Sequence, residues 1–190
     1  RSVCRRQTEA HVWSEAEDRI SQATCVAAQK GQPMAQTITI DSPVGRLAIT
    51  ASLRGIQQIS RSDAAVSETV PVHMQPWLRA LSNYFAGRGD LRAIPVDPRG
   101  GTELQRKVWQ ALQDIEHGET VTYSQLAERV GEVAAVRAVA SACGKNPVAI
   151  IIPCHRVLAK DGTLGGYAWG LPMKEQLLAL ERAPVFQKAA

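Results

Sequence analysis

A chain of 190 residues that is 45% apolar and 21% charged holds enough material for one globular domain or two small ones, and no apolar run approaches the ~18 residues of a membrane span, so a soluble protein is expected. The formal charge of +4 and a pI near 9.0 are compatible with a nucleic-acid partner without specifying one. Cys4, Cys25, Cys143 and Cys154 form neither a CxxC pair nor a Cys/His zinc spacing, which argues against a disulfide scaffold or a metal site and for a reduced, cytoplasmic compartment.

Residues 1–33 carry mixed charge, Gln and Ser with weak helical periodicity, and end in the breaker-rich GQP; they read as a disordered leader, too short for a regulatory domain and without a metal-binding cysteine set. From Met34 the pattern changes. TITID, SPVG and RLAITAS predict two alternating strands joined by a Pro/Gly turn, and IQQIS a third, giving an antiparallel meander. A polar loop over 61–71 precedes a helix over Gln75 to Phe85, with Trp77, Leu78, Leu81, Tyr84 and Phe85 at helical spacings and Gly87 to Gly89 as its stop. A short strand over Leu91 to Val96 and the turn DPRGG then mark a boundary. The expected domains are therefore 34–98 and 99–184, with a tail over 185–190.

The second half reads as helices. Thr102 is a good N-cap for an amphipathic stripe of Leu104, Val108, Trp109, Leu112 and Ile115, which Gly118 closes. In TVTYSQLAERVG, Ser124 is placed to cap a short helix that Gly131 stops, and a second helix rich in Ala and Val runs from Val133 to about Cys143. Two short helices around a tight turn make a helix-turn-helix pattern, which ordinary helical hairpins also produce. Between Tyr123 and Lys160 five basic residues face two acidic ones, so the basic excess concentrates here. Three isoleucines then lead into Pro153, which fixes its own φ and cannot donate to a ladder, so Cys154 should sit where core meets surface.

The segments GTELQRKVWQAL, GETVTYSQLA, RAVASACGKNP, PCHRV, GTLGGYAWG and KEQLLALE together resemble the O6-alkylguanine-DNA alkyltransferases, the methylated-DNA–protein-cysteine methyltransferases. The resemblance spans about residues 36 to 183, and GYAWG with ASAC is closer to the bacterial adaptive-response type than to the mammalian one. It implies an α+β chain: a ribonuclease H-like N-terminal domain, then a helical domain with a winged helix-turn-helix and the reactive cysteine. It also implies DNA repair by irreversible alkyl transfer from O6-alkylguanine, and O4-alkylthymine, to Cys154. The expected partner is double-stranded DNA, bound through its minor groove by a monomer with the alkylated base flipped out; no cofactor is implied.

A thiolate is the nucleophile, and an ordinary thiol is only a few per cent ionised at neutral pH, so a nearby base helps. His155 is the candidate. Adjacent residues point in different directions, so a bridging water between Cys154 and His155 suits the geometry. By resemblance Glu181 orients His155, although Glu181 alone reads as a solvated helix residue. Tyr123 matches the tyrosine that hydrogen-bonds toward the base, and Asn146 the asparagine that ties the recognition helix to the active-site segment. Arg137 matches the arginine that fills the space left by the flipped nucleotide. Ala135, Ala138 and Ala142 would let that helix approach a groove closely. Cys143, Val157, Tyr167, Ala168 and Trp169 are expected to wall the pocket.

Two departures stand out: Gly144 lies where many relatives carry a larger or basic residue, and Ala168 and Trp169 replace smaller or hydroxylated residues of the mammalian pattern. The competing readings are a non-catalytic lesion binder, which would lack the cysteine of PCHR, a transcription regulator, and a cysteine hydrolase, which would need turnover that a stable thioether does not allow.

Overall fold

The computed structural model describes residues 35–182, and the expected leader over 1–33 and tail over 185–190 lie outside them. Three strands, β1 (Gln36–Ile40), β2 (Leu47–Ser52) and β3 (Gly55–Arg61), form an antiparallel sheet in the order β1-β2-β3. The register opposes Ile38 to Ile49 and Ile49 to Ile59, so the alternating apolar residues fall on one face, where all three are buried. Gly55 takes a φ of +152°, and a Cβ there would stand 2.6 Å from the Pro95 carbonyl oxygen. Only glycine lets residues 91–97 come this close.

That close segment is not the strand expected over Leu91 to Val96. Ile94 N–H donates back to Leu91 O in a turn, and Pro95 has no N–H to offer. What remains is one bridge, with Ile56 N–H to Pro95 O at 2.9 Å and Asp97 N–H to Ile56 O at 2.8 Å.

Helix α1 (Gln75–Phe85) has Pro76 in its first turn and buries Leu81 and Tyr84. Helix α2 (Glu103–Gln113) begins with a capping box in which Thr102 and Gln105 satisfy each other's backbone N–H groups. Its stripe buries Val108, Trp109 and Leu112, and Trp109 Nε1 donates to Ala142 O at 3.0 Å.

A two-residue strand, β4 (Val121–Thr122), pairs in parallel with β5 (Val157–Leu158). This pairing holds Thr122 extended, at φ −88° and ψ 159°, the conformation an N-cap requires. Thr122, with Gln125, therefore caps α3 (Tyr123–Arg129), and Ser124 lies inside the first turn instead of at the cap. A 3-10 turn over Val133–Ala135 leads into α4 (Val136–Gly144), so the expected second helix opens three residues late. The isoleucine run continues no strand: Ile152 N–H bonds Val148 O at 2.9 Å, and Ile150 adopts a φ of +77°, rare for a β-branched residue. A 3-10 turn over Cys154–Arg156 and a loop over 159–170 complete the path to α5 (Leu171–Leu180).

The fold is α+β. One buried cluster runs from Ile38 in the sheet through Tyr84, Trp109 and Ile152 to Leu177. No helix of the described residues is long and apolar enough to cross a membrane.

Candidate active site

Two layers meet at the Cys154–Arg156 turn. On the outer side a cavity of about 170 Å³ is lined by Tyr123 of α3, Cys143 and Asn146 at the end of α4, Cys154 itself, and Tyr167, Ala168 and Trp169 of the loop. Cys154 is only 8% exposed, yet it lines this cavity. Asn146 Nδ2 donates to Sγ at 3.2 Å and to Ile152 O at 2.7 Å, while its Oδ1 accepts from Val148 N–H at 3.0 Å. One side chain thus fixes the strained turn before the cysteine and places an N–H on the sulfur.

Behind the cysteine lies a buried charged cluster. His155 and Glu181 bond through Nε2 and Oε1 at 2.9 Å, and neither side chain is exposed. Arg156 donates to Glu181 Oε2 through Nε at 2.8 Å and to Oε1 through Nη2 at 2.9 Å, with Nη1 on Ile115 O at 2.5 Å. Tyr84 adds a 2.6 Å bond to Oε1. Burial alone would raise the Glu181 carboxyl, but the donors from His155 and Arg156 outweigh it and hold the acid well below the usual glutamate range. Burial, opposed only in part by Glu181, lowers His155 from its ordinary value, so the imidazole is neutral. A neutral ring facing a carboxylate carries its proton on Nε2, which leaves the Nδ1 lone pair as a base without a protein hydrogen-bond partner.

The two thiols of the cavity differ. Burial raises both, and for Cys154 the Asn146 N–H and the Lys174 ammonium oppose that rise. For Cys143, burial and the neighbouring Cys154 both raise it, and only Lys174 opposes them. Tyr123, pushed up to about 12 chiefly by burial, stays protonated, and its hydroxyl donates a long 3.5 Å bond to Gly166 O.

The cavity brings Tyr123, Asn146, Cys143, Cys154, Tyr167, Ala168 and Trp169 together, with His155 and Glu181 behind it. Cys154 Sγ and His155 make no direct hydrogen bond. Val157, expected in the wall, is fully buried instead: β5 pairs it with Val121, and its side chain faces the core. Arg137 and Ala138 are exposed on α4 and Ala135 half-buried in the preceding turn. Ala142, expected on the same outer face, is 3% exposed and packs inward, its carbonyl bound by Trp109. At Gly144 no atom stands within 4 Å of where a Cβ would be, so the missing side chain leaves the cavity rim open.

Sequence reasoning missed three side chains that support the site. Arg156, one of the five basic residues between Tyr123 and Lys160, is 4% exposed and ion-paired; Lys174, which carries no signal of its own, is fully buried; and Tyr84, expected as part of a helical stripe, bonds Glu181. Arg156 lies inside PCHRV and Lys174 inside KEQLLALE, the one signal that could have marked them.

The chain is 42% identical over 150 residues to a methylated-DNA–protein-cysteine methyltransferase of Mycolicibacterium paratuberculosis, an overlap of 76% of this chain and 90% of that protein. This chain belongs to the methylated-DNA–protein-cysteine methyltransferase family. Residues 103–183 match the family model described as 6-O-methylguanine DNA methyltransferase, DNA binding domain. The bifunctional transcriptional activator/DNA repair enzyme Ada of Escherichia coli is 43% identical over 155 residues, which span 74% of this chain and 44% of that longer protein. Among solved structures, that of Mycobacterium tuberculosis OGT in complex with DNA superposes with a TM-score of 0.68 at 38% identity, covering 77% of this chain and 93% of that one.

Proposed function

We propose that this member of the family repairs DNA by moving the alkyl group of O6-alkylguanine, and of O4-alkylthymine, irreversibly onto Cys154. The observation that carries the assignment to Cys154 is the Asn146 N–H donated to its sulfur at the cavity, beside an adjacent imidazole that Glu181 holds through Nε2 so that Nδ1 is left as the base. The Cys154 proton passes through one bridging water to His155 Nδ1, and Glu181 stabilises the imidazolium that forms. The thiolate displaces the alkyl carbon from O6; the C–S bond forms as the C–O bond breaks, and the electron pair stays on the purine. The protonated Tyr123 phenol supplies the donor that neutralises the leaving base. The product thioether has no easy leaving path, so each protein acts once, and no cofactor enters the balance.

The base reaches a buried thiol only by leaving the duplex, at a cost of a few kcal/mol. The exposed face of α4, with Arg137, Ala138 and Ser141, and Lys145 just after its end, supports contact with the minor groove beside the cavity mouth. Arg137 then occupies the vacated stack. In the same reading, residues 34–98 form a ribonuclease H-like domain and 99–184 a winged helix-turn-helix domain, supported by the meander followed by α1 and by α3 turning into α4. The protein works as a monomer in the cytoplasm.

Intact-protein mass spectrometry after incubation with duplex carrying O6-methylguanine tests the proposal. The wild type gains one methylene and stops; Cys154→Ser binds the duplex and gains nothing. A methylene on Cys143, or on the Cys154→Ser variant, overturns the assignment.

A further inference from the structure

Lys174 is fully buried on α5, in the same inward row as Met173, Leu177 and Leu178. A buried ammonium must be satisfied by hydrogen bonds. Its Nζ donates to three main-chain carbonyls: Val157 O at 2.5 Å, Leu164 O at shorter range and Gly166 O at 3.4 Å. Val157 directly follows the Cys154–Arg156 turn, whereas Leu164 and Gly166 belong to the loop whose Tyr167, Ala168 and Trp169 wall the cavity. The ammonium thus joins three pieces of chain, and the helix that carries it leads into Glu181.

We propose that Lys174 is a positioning residue for Cys154: it fixes the loop wall of the cavity through these carbonyls and supplies the positive charge that stabilises the Cys154 thiolate. This inference rests on the reading of Cys154 as the alkyl acceptor. The groups that face the ammonium electrostatically are Cys143 from α4 and Cys154 and His155 from the active-site turn. Burial lowers Lys174 to about 8, with both thiols acting in the opposite direction, so at neutral pH the cation persists. Its field acts on Cys154 in the direction of ionisation.

The thiol titration, read by ultraviolet thiolate absorbance against a Cys154→Ser blank, separates this role from mere packing. Lys174→Met keeps an unbranched apolar stem one atom shorter and removes charge and donors; Lys174→Gln, also one atom shorter, keeps N–H donors and removes the charge. Both are expected to move the Cys154 titration up by about one to three units, the range one neighbouring charge produces, and to slow transfer at neutral pH about tenfold per unit. An unchanged titration in either folded variant overturns the proposal. Should neither variant fold, lysine carbon NMR on the folded Cys154→Ser protein decides: coupling is reciprocal, so Lys174 must titrate lower there than in wild type, and an identical titration overturns the proposal. If the wild type accepts no methyl group at all, the functional reading fails, while the thiol and lysine titrations still decide whether Lys174 acts on Cys154.

Discussion

Tyr84 and Glu181 lie 97 positions apart, and the phenol of one donates a 2.6 Å hydrogen bond to the carboxylate of the other in a fully enclosed setting. The same Oε1 accepts from His155 and Arg156, so one carboxylate joins α1, the active-site turn and the end of α5. The helix after the meander therefore contributes directly to the support of the imidazole.

Tyr84→Phe removes one donor and leaves the ring. Hydrogen bonds to charged groups contribute about 1.5–3 kcal/mol, and urea denaturation should show a loss in this range. With one donor fewer, Glu181 holds His155 less firmly, and the single-turnover rate should fall by less than tenfold, far less than in Cys154→Ser. A variant as stable as wild type would remove Tyr84 from the cluster.

Acid should unfold the protein early, and the sign is the same for both groups of the pair. His155 is depressed below its ordinary 6.5 and Glu181 below its ordinary 4.5, so each contributes stability that is present above the ordinary value and lost as pH falls toward the folded one. Denaturation midpoints should decline from near pH 6.5 downward and more steeply below 4.5. Glu181→Gln should flatten the lower part of that decline, and at neutral pH it should cost about 3–5 kcal/mol because Arg156 is left buried without its carboxylate. A midpoint independent of pH between 7 and 4 would contradict the buried neutral imidazole.

Arg137 is exposed at the start of α4 and lies outside the group of residues that line the cavity. Arg137→Ala should therefore slow repair in duplex far more than on single strands or on the free base, as measured by single-turnover methyl transfer on all three. Equal loss on each would assign the residue to folding. Affinity for duplex should also fall with salt, with a log-log slope of about −0.9 for each phosphate neutralised.

Trp169 lines the cavity and stands edge-on to Tyr167, with ring centroids 6.2 Å apart. An indole in the wall takes space that a benzyl group would need, and overpacking of about 1–3 kcal/mol corresponds to roughly tenfold to a hundredfold in rate. Trp169→Gly should speed reaction with O6-benzylguanine by about that factor and change repair of O6-methylguanine in DNA much less. Equal slowing of both substrates would show that the indole serves to hold the loop.

The meander, α1, α2 and the reactive motif are legible in the chain because they rest on signals local to it. Strands of period two put Ile38, Ile49 and Ile59 on one face, the Thr102 capping box starts α2, and PCHRV places a thiol beside an imidazole. Local preference went astray where a distant segment sets the backbone. The pairing of β4 with β5 makes Thr122 the cap in place of Ser124, and the approach of Pro95 to Gly55 leaves a single bridge where a strand was expected. Which charges are buried emerges from the folded packing alone. Arg156, Lys174 and Glu181 have the composition of surface residues, and no periodicity distinguishes them. Their desolvation is offset by Tyr84, by Ile115 O and by the carbonyls of Val157, Leu164 and Gly166, partners that lie far from one another along the chain and meet only when it folds.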